Sequence, residues 1–139
     1  MSGAESFFDT NVLLYLLSAD AAKADRAEAL VAGGGVISVQ VLNEFAAVAT
    51  RKLAMPWAEV RDVLSPIRAI CRVEPLIVET HERGLSLAER YNLSVCDAMI
   101  IASALLAGCT TLYSEDMQHG QHIEGSLSVR NPFVQGGPD

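Results

Sequence analysis

Between Ala98 and Ala107 the chain reads AMIIASALLA, apolar on nearly every side and interrupted only by Ser103. A helix without a polar face has to be enclosed by other elements. The run falls far short of the roughly 20 residues that span a bilayer, so it predicts a buried central helix that the rest of the chain must cover. Short β-prone runs, Ser6 to Phe8, Val36 to Ser38, Val73 to Val78 around Pro75, Thr111 to Tyr113, and a late edge strand at 129–133, alternate with helix-like segments. That alternation implies a parallel sheet covered on both sides. The expected fold class is therefore α/β, with a short central parallel β-sheet of four to five strands flanked by helices on both faces.

Helix boundaries are marked locally. Thr10-Asn11 offers an N-cap after the first strand, and a second helix over Ala21 to Val31 is ended by Gly33-Gly34-Gly35. That glycine run is no phosphate loop, because the P-loop spacing and its Lys-Ser/Thr are missing. Ser38 caps a helix to Leu53 in which Leu42, Phe45, Ala46, Ala49 and Leu53 make the core face. Pro56 opens a helix over Trp57 to Cys71, which Pro66 should kink or break near Ser65. Trp57, with no second aromatic beside it, reads as a packing anchor. Thr80 caps a helix to about Tyr91, Asn92 suits its left-handed end, and Ser94 stands three positions before Asp97 in a capping-box variant. With 139 residues, half of them hydrophobic, the chain suits one core. We expect one domain over residues 1–134 and a flexible tail over 135–139, with neither signal peptide nor membrane span.

Four acids stand at the edges of these segments: Asp9 and Asp116 just past strand ends, Glu44 and Asp97 in or near the first turns of helices. Open parallel sheets bind ligands at the carboxyl ends of their strands, and helix starts favour anions. Any one Asp could be a cap or a solvated charge. Four brought to one pocket would need compensation, and hard oxygen ligands without a His or Cys set point to Mg²⁺ or Mn²⁺. His119 and His122 have H-x-x-H spacing but no partner ligands, so they read as a polar loop. Cys71, Cys96 and Cys109 form no C-x-x-C pair and read as reduced structural thiols of a cytoplasmic protein. The net charge of −7 argues against a broad nucleic-acid-coating face, though metal ions in an acidic pocket would restore positive charge where a phosphate must sit.

The segments FFDTNVLLYLL, VLNEFAAVATRKL, LSVCDAMIIASALLAGCTTLYSEDMQHG and RNPF resemble the PIN domain family, and within it the VapC-type toxins of bacterial toxin–antitoxin pairs. The resemblance covers nearly the whole chain. It implies a PIN-like fold, and it maps the family's catalytic, metal-binding acids onto Asp9, Glu44, Asp97 and Asp116. Polar helper positions map onto Thr10, Asn11 and Ser114. It further implies an endoribonuclease toxin that inhibits translation, RNA as substrate, a homodimer, and a cognate antitoxin whose basic side chains enter the acidic groove. Two departures stand out: Cys96 where many relatives carry an aromatic residue, and only two lysines, Lys23 and Lys52, which leaves phosphate contacts largely to arginines.

Metal-assisted hydrolysis of a phosphodiester is the chemistry that fits such acids; alone they would serve DNA equally well. Arg51 lies seven positions after Glu44, about 10 Å along a helix, so it either meets a substrate phosphate or is a helix-end cation. A phosphoacceptor signalling domain is a rival reading, but it needs a Lys after a late strand and none follows Lys52. The other rival is a non-catalytic PIN-like module that receives a basic peptide in its acidic groove.

Overall fold

The protein is described by a computed structural model over residues 5–133, so the expected tail at 135–139 lies outside the described residues. The strands are β1 (Ser6–Phe8), β2 (Gly35–Ser38), β3 (Cys71–Glu74), β4 (Thr111–Tyr113), β5 (His122–Ile123) and β6 (Leu127–Arg130). The helices are α1 (Thr10–Leu14, continued by a 3-10 turn Tyr15–Leu17), α2 (Ala21–Ala32), α3 (Val39–Arg51), α4 (Trp57–Ile70), α5 (Val78–Tyr91) and α6 (Val95–Leu106).

The six strands form one sheet in the order β3-β2-β1-β4-β6-β5, parallel except for β5. From β1 the chain first builds outward through β2 and β3, then returns to place β4 on the other side of β1. Strand order therefore reverses between β1 and β4, paired through Phe7 opposite Leu112 and Phe8 opposite Tyr113. A crevice opens at the carboxyl ends of strands at such a reversal, and the residues that follow β1 and β4 are Asp9 and Ser114-Glu115-Asp116.

The central helix is as expected: Ala98 through Ala104 of α6 are buried. α6 lies beside α5, where a Cβ on Gly84 would come within 2.5 Å of the Met99 sulfur. Gly35 is required at the start of β2, because a Cβ there would sit 2.7 Å from both the Phe8 ring and the Ser6 carbonyl oxygen. Ser38 caps α3 through the Val41 amide, and Asn92 ends α5 at φ 57°.

Several boundaries differ from expectation. The sheet has six strands, because the hairpin β5–β6 adds a two-residue strand too short to leave a sequence signal. The late strand is Leu127–Arg130 and lies between β4 and β5, not at an edge. β3 begins directly at Cys71, where the α4 helix stops, and Pro75 ends it. Asp9, not Thr10 or Asn11, caps α1. α5 starts at Val78, so Thr80 is inside its first turn and accepts from the Ile77 amide at 3.3 Å. Pro66 is accommodated inside a continuous α4, where the loss of one backbone donor is offset by packing of Val60 and Ile67 into the core.

Trp57 is 65% exposed and Leu53 50% exposed, so neither anchors the core. Both lie where the chain turns from α3 to α4. Cys71 and Cys109 are buried thiols, with burial pushing Cys109 up to about 12, but Cys96 is exposed and not structural. Among the described residues no helix is long and apolar enough to cross a membrane.

Candidate metal centre

Asp9 sits where β1 hands over to α1, in extended geometry and only 5% exposed. Its Oδ1 accepts from the Thr10 amide at 2.7 Å. Its Oδ2 accepts from the Ser114 hydroxyl at 2.7 Å and the Asn11 amide nitrogen at 3.3 Å. Burial raises its pKa to about 6 even though the Ser114 and Thr10 hydrogen bonds pull it down; the charges of Asp97 and Asp116 add to the rise. A buried carboxylate with neutral donors and acidic neighbours is under-compensated.

Asp116 is exposed on the loop after β4. Its Oδ2 accepts from the same Asn11 nitrogen, at 3.1 Å, so one carboxamide spans two carboxylates. Ser114 acts similarly: its hydroxyl donates to Asp9, while its oxygen accepts from the backbone amides of Asp116 at 3.2 Å and Met117 at 3.3 Å.

Glu44 approaches from α3. It lies in the second turn of that helix, not the first, because α3 begins at Val39. The helix dipole therefore contributes little to its placement; hydrogen bonds do that instead. Thr10 Oγ1 donates to Oε1 at 2.7 Å and Gln40 Nε2 to Oε2 at 2.9 Å. Gln40 Nε2 also donates to the Cys96 carbonyl at 3.2 Å, tying α3 to the start of α6. Asp97 stands in the first turn of α6, its amide bonded to the Ser94 hydroxyl at 3.1 Å. Partial burial raises its pKa, the Ser94 hydrogen bond opposes this, and the charges of Asp116 and Glu44 add to the rise.

The charges thus link Asp97 to Asp9, Asp116 and Glu44, and Glu44 and Asp116 line one groove with Thr10 and Asn11. The donors on these carboxylates are a backbone amide, two hydroxyls and two carboxamides. Among the described residues, no group of three or more His, Cys, Asp or Glu side chains stands close enough to hold a metal ion by itself. The acids are held slightly apart, with Asn11 between two of them. All-oxygen donors, unneutralised charge and incomplete enclosure suit a hydrated hard cation, which keeps several waters and needs only one or two carboxylates.

Arg51 lines a groove of about 250 Å³ together with Thr10, Asn11, Glu44 and Asp116. Its Nε also donates to the Ala47 carbonyl at 3.3 Å, so it serves its own helix end as well. A larger groove of about 400 Å³ lies elsewhere, lined by Leu16, Val31, Ile67 and Ile70. Its lining is mostly apolar, and its two acids, Asp25 and Glu28, both come from α2, so charge and hydrogen bonding from several elements, not volume, identify the site. The H-x-x-H pair is outside it: His119 Nδ1 accepts from the Asn131 amide at 2.9 Å, and His122 Nδ1 meets Ser128 Oγ at 3.1 Å. Gln40 was not singled out from sequence. Its position four residues before Glu44, one helical turn away on the same face, was the available signal.

Residues 6–121 match the PIN domain family. Ribonuclease VapC7 of Mycobacterium tuberculosis is 32% identical over 115 residues, 78% of this chain and 79% of that protein. Among solved structures, a toxin–antitoxin complex from Klebsiella pneumoniae superimposes with a TM-score of 0.70 at 21% identity, covering 92% of this chain and 98% of that one. VapC20 of Mycobacterium tuberculosis, described as a sarcin-ricin loop cleaving toxin, gives 0.65 at 23% identity, covering 80% and 89%. These two structural likenesses bear on the fold.

Proposed function

The chain belongs to the PIN domain family, and on that premise we propose that it is a Mg²⁺- or Mn²⁺-dependent endoribonuclease, the toxin of a VapBC-type pair. The observation that carries this reading is the convergence of Asp9, Glu44, Asp97 and Asp116 on one crevice, with Asp9 raised to about 6 by burial and acidic neighbours. RNA as substrate is supported by the relative that bears the name ribonuclease.

A divalent ion bound there would supply charge neutralisation and lower the pKa of a water for attack on phosphorus. Asp9, Asp97 and Asp116 would hold it. Glu44, fixed at both oxygens by Thr10 and Gln40, is set to orient water or complete the ion's shell. Asn11 and Ser114 keep the Asp9 and Asp116 carboxylates at their spacing. Arg51, in the same groove, meets a flanking phosphate.

An acidic groove of this kind also draws Arg or Lys from a partner, which is the reading we give to the cognate antitoxin; one structural neighbour is a toxin–antitoxin complex. A homodimer is supported by the aliphatic side chains Leu76, Ile77, Val78 and Val95, all at least 43% exposed on neighbouring parts of the surface. The protein acts on RNA in the cytoplasm.

The test is induced expression of the chain and of Asp97→Asn, with sequencing of RNA 5′ ends. Growth arrest with new, discrete ends from the wild type alone is the expected result. Arrest without new ends, or tight binding of a basic peptide without cleavage, would favour a non-catalytic module.

A further inference from the structure

The loop that carries Asp116 is also held through Glu115, by side chains that the proposed chemistry does not use. The Glu115 carboxylate accepts from the Tyr15 hydroxyl and from Lys23 Nζ at 3.3 Å. Lys23 Nζ lies 3.2 Å from the Tyr15 oxygen and 4.7 Å from the centre of the Tyr15 ring. That ring in turn packs edge-on against Phe133, with centroids 4.5 Å apart. The Glu115 amide donates to Asn11 Oδ1 at 3.1 Å, so the carboxamide that spans Asp9 and Asp116 through its nitrogen grips the loop backbone through its oxygen.

We propose that Glu115 is a positioning residue, with Tyr15 and Lys23 as its anchors, and that this clamp fixes where Asp116 stands relative to Asp9 and Asp97. Asp116 is exposed and follows a strand of three residues, and Asp9 and Asp97 repel it. An unrestrained loop would relieve that repulsion by swinging outward. The clamp opposes this from the 3-10 turn and α2. Lys23 is spent on Glu115 and Tyr15, so its charge steadies the loop without filling the place of the cation.

The inference rests on the metal-centre reading. It is tested by calorimetric titration of Mn²⁺ into the metal-free full chain, alongside thermal melts, for the wild type, Glu115→Ala, Tyr15→Phe and their combination. Glu5→Gln is the control: it breaks a surface ion pair with Arg72 at the opposite end of β1. Glu115→Ala should weaken Mn²⁺ binding by about 10-fold or more, with a melting temperature close to that of the control. Tyr15→Phe keeps the ring against Phe133 and should weaken binding in the same direction. The combined variant should bind no more weakly than Glu115→Ala alone, because the hydroxyl acts through Glu115. Should Glu115→Ala not fold, Tyr15→Phe against the control decides the matter. Mn²⁺ affinity unchanged in the folded variants overturns the clamp, whereas a wild type that binds no Mn²⁺ overturns the metal reading beneath it.

Discussion

Replacing Asp9 by Asn should stabilise the metal-free protein at neutral pH. The Asp9 pKa rises from 3.8 unfolded to about 6 folded, with burial the largest cause. A raised folded pKa on an acid means that the fold binds the proton more tightly than the unfolded chain does. Stability from this group is therefore highest below the unfolded value and falls as pH rises through the folded one. A shift of about 2 units, at about 1.4 kcal/mol each, amounts to a penalty of about 3 kcal/mol above pH 6.

Asn carries no charge and escapes that penalty, but it cannot reproduce every hydrogen bond. One of its polar atoms is a donor and would confront the Asn11 nitrogen, 3.3 Å from Asp9 Oδ2. With about 1 kcal/mol lost per broken hydrogen bond, the net gain is about 1–2 kcal/mol. For a chain of this size that is a rise in melting temperature of about 3–7 °C. Urea or thermal melts in EDTA, run from pH 4 to pH 8, measure it. The difference between variant and wild type should be slightly unfavourable near pH 4, change sign as pH rises toward 6, and reach its full favourable size above pH 6. Added Mg²⁺ or Mn²⁺ should stabilise the wild type more than the variant. A variant less stable than the wild type at pH 7.5 in EDTA would refute the reasoning, since it would mean that Asp9 serves the fold chiefly as an ionised cap of α1.

Arg51→Ala should weaken RNA binding to a similar extent across sequences and reduce the salt slope by about one unit; an unchanged slope with unimpaired cleavage would leave Arg51 as a helix-end cation. Gln40→Ala removes one of the two side-chain donors on Glu44 and should lower kcat about 10-fold with little change in KM. Steady-state kinetics check this, and normal kcat in that variant would mean that Thr10 alone positions Glu44. Gly35→Ala should cost about 1–3 kcal/mol in a urea melt, because the new methyl would press on the Ser6 backbone and the Phe8 ring.

The sequence revealed most where one residue reports on its own backbone or on a periodic face. The all-apolar run of α6, the Ser38 and Ser94 caps and the left-handed Asn92 follow from such local rules. Asp9, Asp97 and Asp116 stood out for the same reason, since each lies at or just past the end of an element. Features that depend on distant partners were not. Lys23 and Glu115 are 92 residues apart, and neither position distinguishes a clamp from a solvated charge. Glu44 sits in the second turn of α3, whose Ser38 cap and Val39 start were as expected, so the helix start lends its carboxylate little. Trp57 was misread because size favours burial on average, while its actual position at the turn into α4 leaves it exposed.

Whether the acids act through a divalent ion on RNA is decided by cleavage with and without metal. The purified chain and Asp97→Asn, prepared in parallel and stripped with EDTA, should be incubated with single-stranded RNA before and after addition of Mg²⁺ or Mn²⁺. Asp97 suits this test because it is half-buried and its capping contact with Ser94 runs through the backbone amide, so the substitution leaves the fold in place. The expected result is no cleavage in EDTA, cleavage restored by either ion in the wild type, and none in Asp97→Asn. Cleavage that survives exhaustive EDTA treatment, or that persists in Asp97→Asn, would contradict it.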